Sequence, residues 1–109
     1  MQFYSTRNKK NIVNGAEAIC QGISGEGGLF VPAAFPQISR EQTESFCDQT
    51  YEQTAAQIVG AFLPELGALP EYTAKAYAKF DGDPAPVVKV ADDTFVMELW
   101  HGPTHAFKD

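Results

Sequence analysis

Lys108 is the residue of this 109-residue chain best placed to do chemistry. It lies in His101-Gly102-Pro103-Thr104-His105-Ala106-Phe107-Lys108-Asp109, directly after the most strand-like run of the sequence and between an aromatic ring and an acid. A primary amine at a strand end, on a loop shaped by Gly-Pro, can be held where it attacks a carbonyl. Desolvation, or placement at a helix N-terminus, lowers the pKa of such an amine and makes it a usable nucleophile. The plainer alternative is a solvated surface charge, the usual state of a lysine.

Other constellations carry less. His101 and His105 are four apart, a metal-ligand spacing when a helix carries them, but Gly102-Pro103 breaks a continuous helical face. No Cys, third His or helical acid pair completes a set, so no metal is expected. Ser24 lies between Ile23 and Gly25 and does not supply the GxSxG elbow of a serine hydrolase. Gly25-Glu26-Gly27-Gly28 runs into apolar Leu29-Phe30-Val31 and Pro32 rather than into a helix. That context disfavours a phosphate cradle, which needs a helix N-terminus, and favours a turn that lets the backbone pass close to a neighbour.

The length fits one domain with a modest core. A 20% charged and 44% hydrophobic composition argues against disorder, and the net charge of −6 disfavours nucleic acid and anionic membranes as partners. No apolar run approaches the roughly 20 residues of a bilayer span, and MQFYSTRNKK lacks the apolar core of a signal peptide. Cys20 and Cys47 are isolated and are expected to be buried or half-buried thiols in a reducing cytosol.

The elements that must position Lys108 read in order. Gln2-Phe3-Tyr4-Ser5 is a first strand, followed by a polar connection from Thr6 to Asn11. Asn14 with Glu17 opens a short helix over 14–21, with Ala16, Ile19 and Cys20 as its apolar face and Gly22 as its stop. Leu29-Phe30-Val31 is strand-like. Ser39 with Gln42 opens a helix to about Cys47, and Thr50 with Gln53 opens the clearest one, with Tyr51, Ala55, Ile58 and Phe62 on one stripe and Pro64 beyond its end. Pro70 starts another helix over roughly 70–80, with Tyr72, Ala76 and Phe80 on one face; both aromatic stripes read as core. Residues 87–100 read as a β-hairpin turning at Asp92-Asp93, which sets Val90 opposite Phe95 and Val88 opposite Met97. The fold class is α/β: short helices packed on short strands, with the hairpin near residues 87–100.

HGPTHAFKD resembles the cofactor-attachment segment of the threonine synthases, pyridoxal-phosphate enzymes of the tryptophan-synthase-β structural family (fold type II). FYSTR (Phe3 to Arg7) and GGLFVP (ending at Pro32) resemble the same family in the same order, so the likeness runs end to end. It implies that Lys108 forms the internal Schiff base with pyridoxal 5'-phosphate and then serves as the base moving protons from Cα and toward Cβ. Phe107 is implied near the cofactor ring, and Thr104 and Asp109 beside the site. The implied reaction converts O-phospho-L-homoserine and water to L-threonine and phosphate. Two positions depart from the pattern: Asn8 stands where the family often has glycine, and His105 where a small apolar residue is usual. The resemblance also implies that residues 1–109 are an N-terminal domain cut just after its lysine, with the C-terminal catalytic remainder as the missing partner; the isolated cysteines and the want of a signal peptide make the cytoplasm the expected setting. By itself this piece is expected to be inactive and without cofactor. The competing readings are a related pyridoxal-phosphate lyase acting on a phospho-amino acid and a free-standing acidic α/β binding module without catalysis.

Overall fold

A computed structural model describes residues 1–109, and its elements follow the α/β reading. Strands β1 (Gln2–Ser5), β2 (Asn8–Asn14) and β3 (Phe30–Pro32) form an antiparallel sheet in the order β2-β1-β3. Helices α1 (Gly15–Gln21), α2 (Arg40–Ser45), α3 (Tyr51–Phe62) and α4 (Leu69–Tyr77) follow, with a 3₁₀ turn at Phe46–Asp48 between α2 and α3. Strands β4 (Val87–Ala91) and β5 (Thr94–Met97) make a separate hairpin. No helix is long and apolar enough to cross a membrane.

The polar connection expected at Thr6 to Asn11 is a tight turn followed by β2. Asn8, Lys9 and Lys10 are exposed on an edge strand, where charge is tolerated and even protective, so their polarity hid the strand. At its end Asn14 caps α1: its side chain accepts the Glu17 N–H at 2.9 Å, and Glu17 returns a contact to the Asn14 N–H at 3.0 Å. Gly22 stops the helix in left-handed backbone (φ 68°), its N–H bonded to the Ala18 carbonyl. The buried face of α1 holds Gly15 and Ala18, whereas Ile19 and Cys20 point outward. Both cysteines are exposed, contrary to expectation: Cys20 lies on the uncovered side of α1, and Cys47 in the exposed 3₁₀ turn.

The glycine turn does what its context suggested. Ser24 is buried; its hydroxyl donates to the Gly28 carbonyl at 3.0 Å and accepts the Gly28 N–H at 2.9 Å. With its one proton committed there, it must accept from the Ser5 hydroxyl, 2.9 Å away, which in turn accepts the Arg7 N–H at 3.2 Å. A Cβ on Gly28 would overlap Ser5 Oγ and sit 3.0 Å from both the Arg7 nitrogen and Ser24 Oγ. The FYSTR and GGLFVP stretches therefore meet as one knot, with Ser5 paired to Phe30 and Tyr4 to Val31.

Helices α3 and α4 pack together and carry the buried Ala56, Leu69 and Thr73. The inward stripe of α4 is Leu69, Thr73 and Tyr77, not the Tyr72-Ala76-Phe80 stripe read from spacing; Tyr72 is 55% exposed. Thr73 tolerates burial because its hydroxyl donates to the Leu69 carbonyl at 3.0 Å. In the hairpin the Asp92-Asp93 turn is present, with Asp93 at φ 58°, but Val90 is bulged out of register. Val87 faces Met97, Val88 faces Val96 and Lys89 faces Phe95, one step away from the simple two-residue-turn register.

The expected core is thin. Ala18, Ala56 and Leu69 are the buried hydrophobic residues, and the radius of gyration is 16.4 Å. A compact chain of this length has about 13 Å. The molecule is elongated, 47 × 30 × 30 Å.

Candidate functional site

The Lys108 segment leaves the hairpin without a break. The ladder runs one step past Met97, with the Glu98 N–H donating to the Pro86 carbonyl at 2.9 Å. Glu98 then meets His101 through Oε2 and Nε2 at 2.7 Å. Gly102 is buried and Pro103 bends the chain, so that the His105 N–H reaches the Gly102 carbonyl at 3.0 Å. His105 adopts left-handed backbone (φ 55°), and its Nδ1 lies 3.2 Å from the Trp100 carbonyl, which assigns the proton to Nδ1. Asn8, the other departure from the family pattern, shows no such conformation.

Asp109 closes this loop. Its carboxylate accepts the Thr104 N–H at 2.8 Å and the Thr104 hydroxyl, and the Asp109 N–H donates to the Ala106 carbonyl at 3.1 Å. The Thr104 hydroxyl, ahead of the backbone donors and nearby His105, holds the Asp109 carboxyl below its ordinary value. A Cβ on Gly102 would overlap Asp109, so a glycine is needed there for the closure to form.

Lys108 Nζ lies 5.9 Å from the Phe107 ring centre and makes no ion pair. Its neighbour Asp109 is turned to Thr104 instead. Lys108, Phe107 and Asp109 line one cleft of about 220 Å³ with Leu99, Pro84 and three aromatic residues of the helical layer, Tyr51, Tyr77 and Phe80. Tyr51 and Tyr77 stand edge to face at 4.8 Å, and Tyr77 tilts against Phe80 at 5.3 Å. Burial, then the neighbouring Tyr51, push the Tyr77 phenol above its ordinary value, so it is a neutral group at physiological pH. The structure thus brings Lys108, Phe107 and Asp109 together and ties Thr104 to them through Asp109. Sequence reasoning missed the aromatic wall, whose helical spacing looks the same whether it faces a core or a cleft.

Residues 2–77, more than half of the chain, match the family described as the threonine synthase N terminus. The chain belongs to the threonine synthase family. It is 37% identical to the threonine synthase of Serratia marcescens across its whole length, which is 25% of that relative. It superposes with a TM-score of 0.89 on the PLP-bound threonine synthase of Brucella melitensis, at 30% identity, covering 99% of this chain and 24% of that one. The Escherichia coli threonine synthase structure gives 0.85 at 31% identity, covering 99% of this chain and 25% of its own. The chain therefore spans about a quarter of the length of the threonine synthases it matches. Those structural matches extend over nearly the whole chain, beyond the 2–77 match, and so reach the hairpin and the Lys108 segment.

Proposed function

We propose that residues 1–109 are the N-terminal part of a pyridoxal-phosphate-dependent threonine synthase, and that Lys108 is its cofactor-attachment residue. The reaction is conversion of O-phospho-L-homoserine and water to L-threonine and phosphate. One observation carries the reading: in a member of this family, Lys108 is an unpaired amine beside an aromatic-lined cleft.

The residues present fit attachment of the cofactor. The amine is uncommitted because the adjacent carboxylate is spent on Thr104, and flat aromatic surface lies next to it. Lys108 would hold the cofactor through Nζ, with Phe107 as its aromatic neighbour in the cleft. When bound, pyridoxal 5'-phosphate supplies a protonated pyridine ring that acts as electron sink. Lys108 Nζ serves as the base at the substrate's Cα and returns the proton toward Cβ. Thr104 and Asp109 fix the loop, so that the amine stays within reach of both carbons. The other three-quarters of the length seen in the relatives supplies the phosphate cradle, the partner of the pyridine nitrogen and most substrate contacts. Without it the 109-residue piece holds no cofactor and is inactive. The setting proposed is the cytoplasm, where exposed Cys20 and Cys47 remain thiols. The net charge of −6 disfavours nucleic acid and anionic membranes as partners.

The test is to incubate the full-length protein with O-phosphohomoserine and measure threonine and phosphate. Equal release of both supports the reading. Phosphate without threonine would move the assignment to a related lyase that eliminates without adding water, and release of neither would point to a non-catalytic module.

A further inference from the structure

The hydrogen bonds of residues 99–109 are all made within the segment or to the adjacent Glu98: Glu98 to His101, His105 to Gly102 and Trp100, Asp109 to Thr104 and Ala106. None reaches the helical layer. What lies between the segment and that layer is the cleft, with Leu99, Phe107 and Lys108 on one side and Tyr51, Tyr77 and Phe80 on the other.

The wall is assembled in advance by the helices. Tyr51 opens α3, where the Gln53 side chain accepts the Thr50 N–H at 3.1 Å and fixes the first turn. Tyr77 ends α4, and Phe80 is brought back by its N–H to the Tyr77 carbonyl at 3.0 Å. Edge-to-face packing of Tyr51 on Tyr77 orients both phenols and gives a rigid surface. Asp109 is the cleft's one carboxylate, and it is already spent on Thr104. Besides Lys108 and Asp109, Tyr51 and Tyr77 are the lining residues that carry polar side-chain groups.

We propose that Tyr77, backed by Tyr51, is a positioning residue for Lys108: the α3–α4 wall sets where the 99–109 segment lies and presents a neutral phenol to the cleft that Lys108 lines. This rests on the reading of Lys108 as the attachment residue. A neutral phenol can donate to or accept from the lysine amine without trapping it in an ion pair, whereas a carboxylate in the same place would neutralise it. Burial and the Tyr51 neighbour keep Tyr77 in that neutral form.

The experiment uses the full-length protein loaded with pyridoxal 5'-phosphate, with Tyr77→Phe, Tyr77→Leu, Tyr51→Phe and the exposed Tyr72→Phe compared with wild type. Two quantities are followed: the pH dependence of the visible absorbance of the lysine-bound cofactor, and kcat against KM. Tyr77→Phe is expected to shift the midpoint of the absorbance titration and to lower kcat about tenfold, the worth of one hydrogen bond, with KM little changed. Tyr51→Phe should give a smaller shift in the same direction, and Tyr72→Phe none. Tyr77→Leu removes the wall itself and should lose more activity than Tyr77→Phe. If wild type binds the cofactor through Lys108 while Tyr77→Phe keeps its midpoint and its kcat, the inference fails and the attachment reading stands. If wild type does not hold the cofactor on Lys108, the attachment reading fails and takes this inference with it.

Discussion

Asp109 and Lys108 are neighbours of opposite charge that do not pair. Thr104 takes the carboxylate with its amide and hydroxyl, and the amine is left free for other work. The Asp109 carboxyl is held below its ordinary value, chiefly by the Thr104 hydroxyl, so the closure is fully present above the ordinary aspartate range and is lost as pH falls through the depressed value. NMR of the Thr104 amide should show its shift moving only below the usual aspartate midpoint, and Asp109→Asn should abolish that titration. An unaltered Thr104 titration in Asp109→Asn would contradict the assignment. In the full-length enzyme, Lys108→Ala should cost at least about 10²–10⁴-fold in turnover, the range of general acid–base catalysis alone. What was legible at this scale is the loop that carries Lys108, since HGPTHAFKD follows a strand-like run with Gly-Pro shaping the turn. Tyr51 and Tyr77 were not, since periodicity identifies a helix face without saying what that face meets.

The two motif-bearing strands β1 and β3 stand or fall with a single buried knot. Ser24→Ala would leave the Gly28 N–H and the Ser5 hydroxyl proton without their acceptor, while the Gly28 carbonyl keeps the Ser24 N–H, at a cost of about 1–3 kcal/mol. Gly28→Ala would drive a Cβ into Ser5 and against the Arg7 backbone, costing about 1–3 kcal/mol by overpacking. Urea unfolding monitored by circular dichroism checks both; wild-type midpoints would refute the account of this knot. Elements with local signals were legible: the Asn14–Glu17 and Ser39–Gln42 capping boxes and the Gly22 stop are all present. Strand β2 was not, because its first residues are polar on an exposed edge. The hairpin turn was visible at Asp92-Asp93, but the bulge at Val90 was not, since pairing register depends on backbone geometry that composition does not encode.

Taken whole, the molecule exposes more surface than its size requires. Its accessible area is 7836 Å², against about 5,900 Å² for a compact monomer of the same mass. Part of the exposed apolar surface gathers on the hairpin, where Val87, Val90, Phe95 and Met97 are each more than half exposed. Patches of this kind mark interfaces. Residues 1–109 in isolation should therefore self-associate with rising concentration in sedimentation velocity, and Phe95→Lys should reduce that association. A monomer across the whole concentration range would contradict the reading of this face. The most direct test of the central claim is borohydride reduction of the full-length protein mixed with pyridoxal 5'-phosphate, followed by peptide mapping. The account predicts a pyridoxyl label on Lys108 in the full-length protein, and indiscriminate labelling of Lys9, Lys10, Lys75, Lys79, Lys89 and Lys108 in the isolated 109 residues. A full-length protein labelled selectively at another lysine, with Lys108 unmodified, would contradict it.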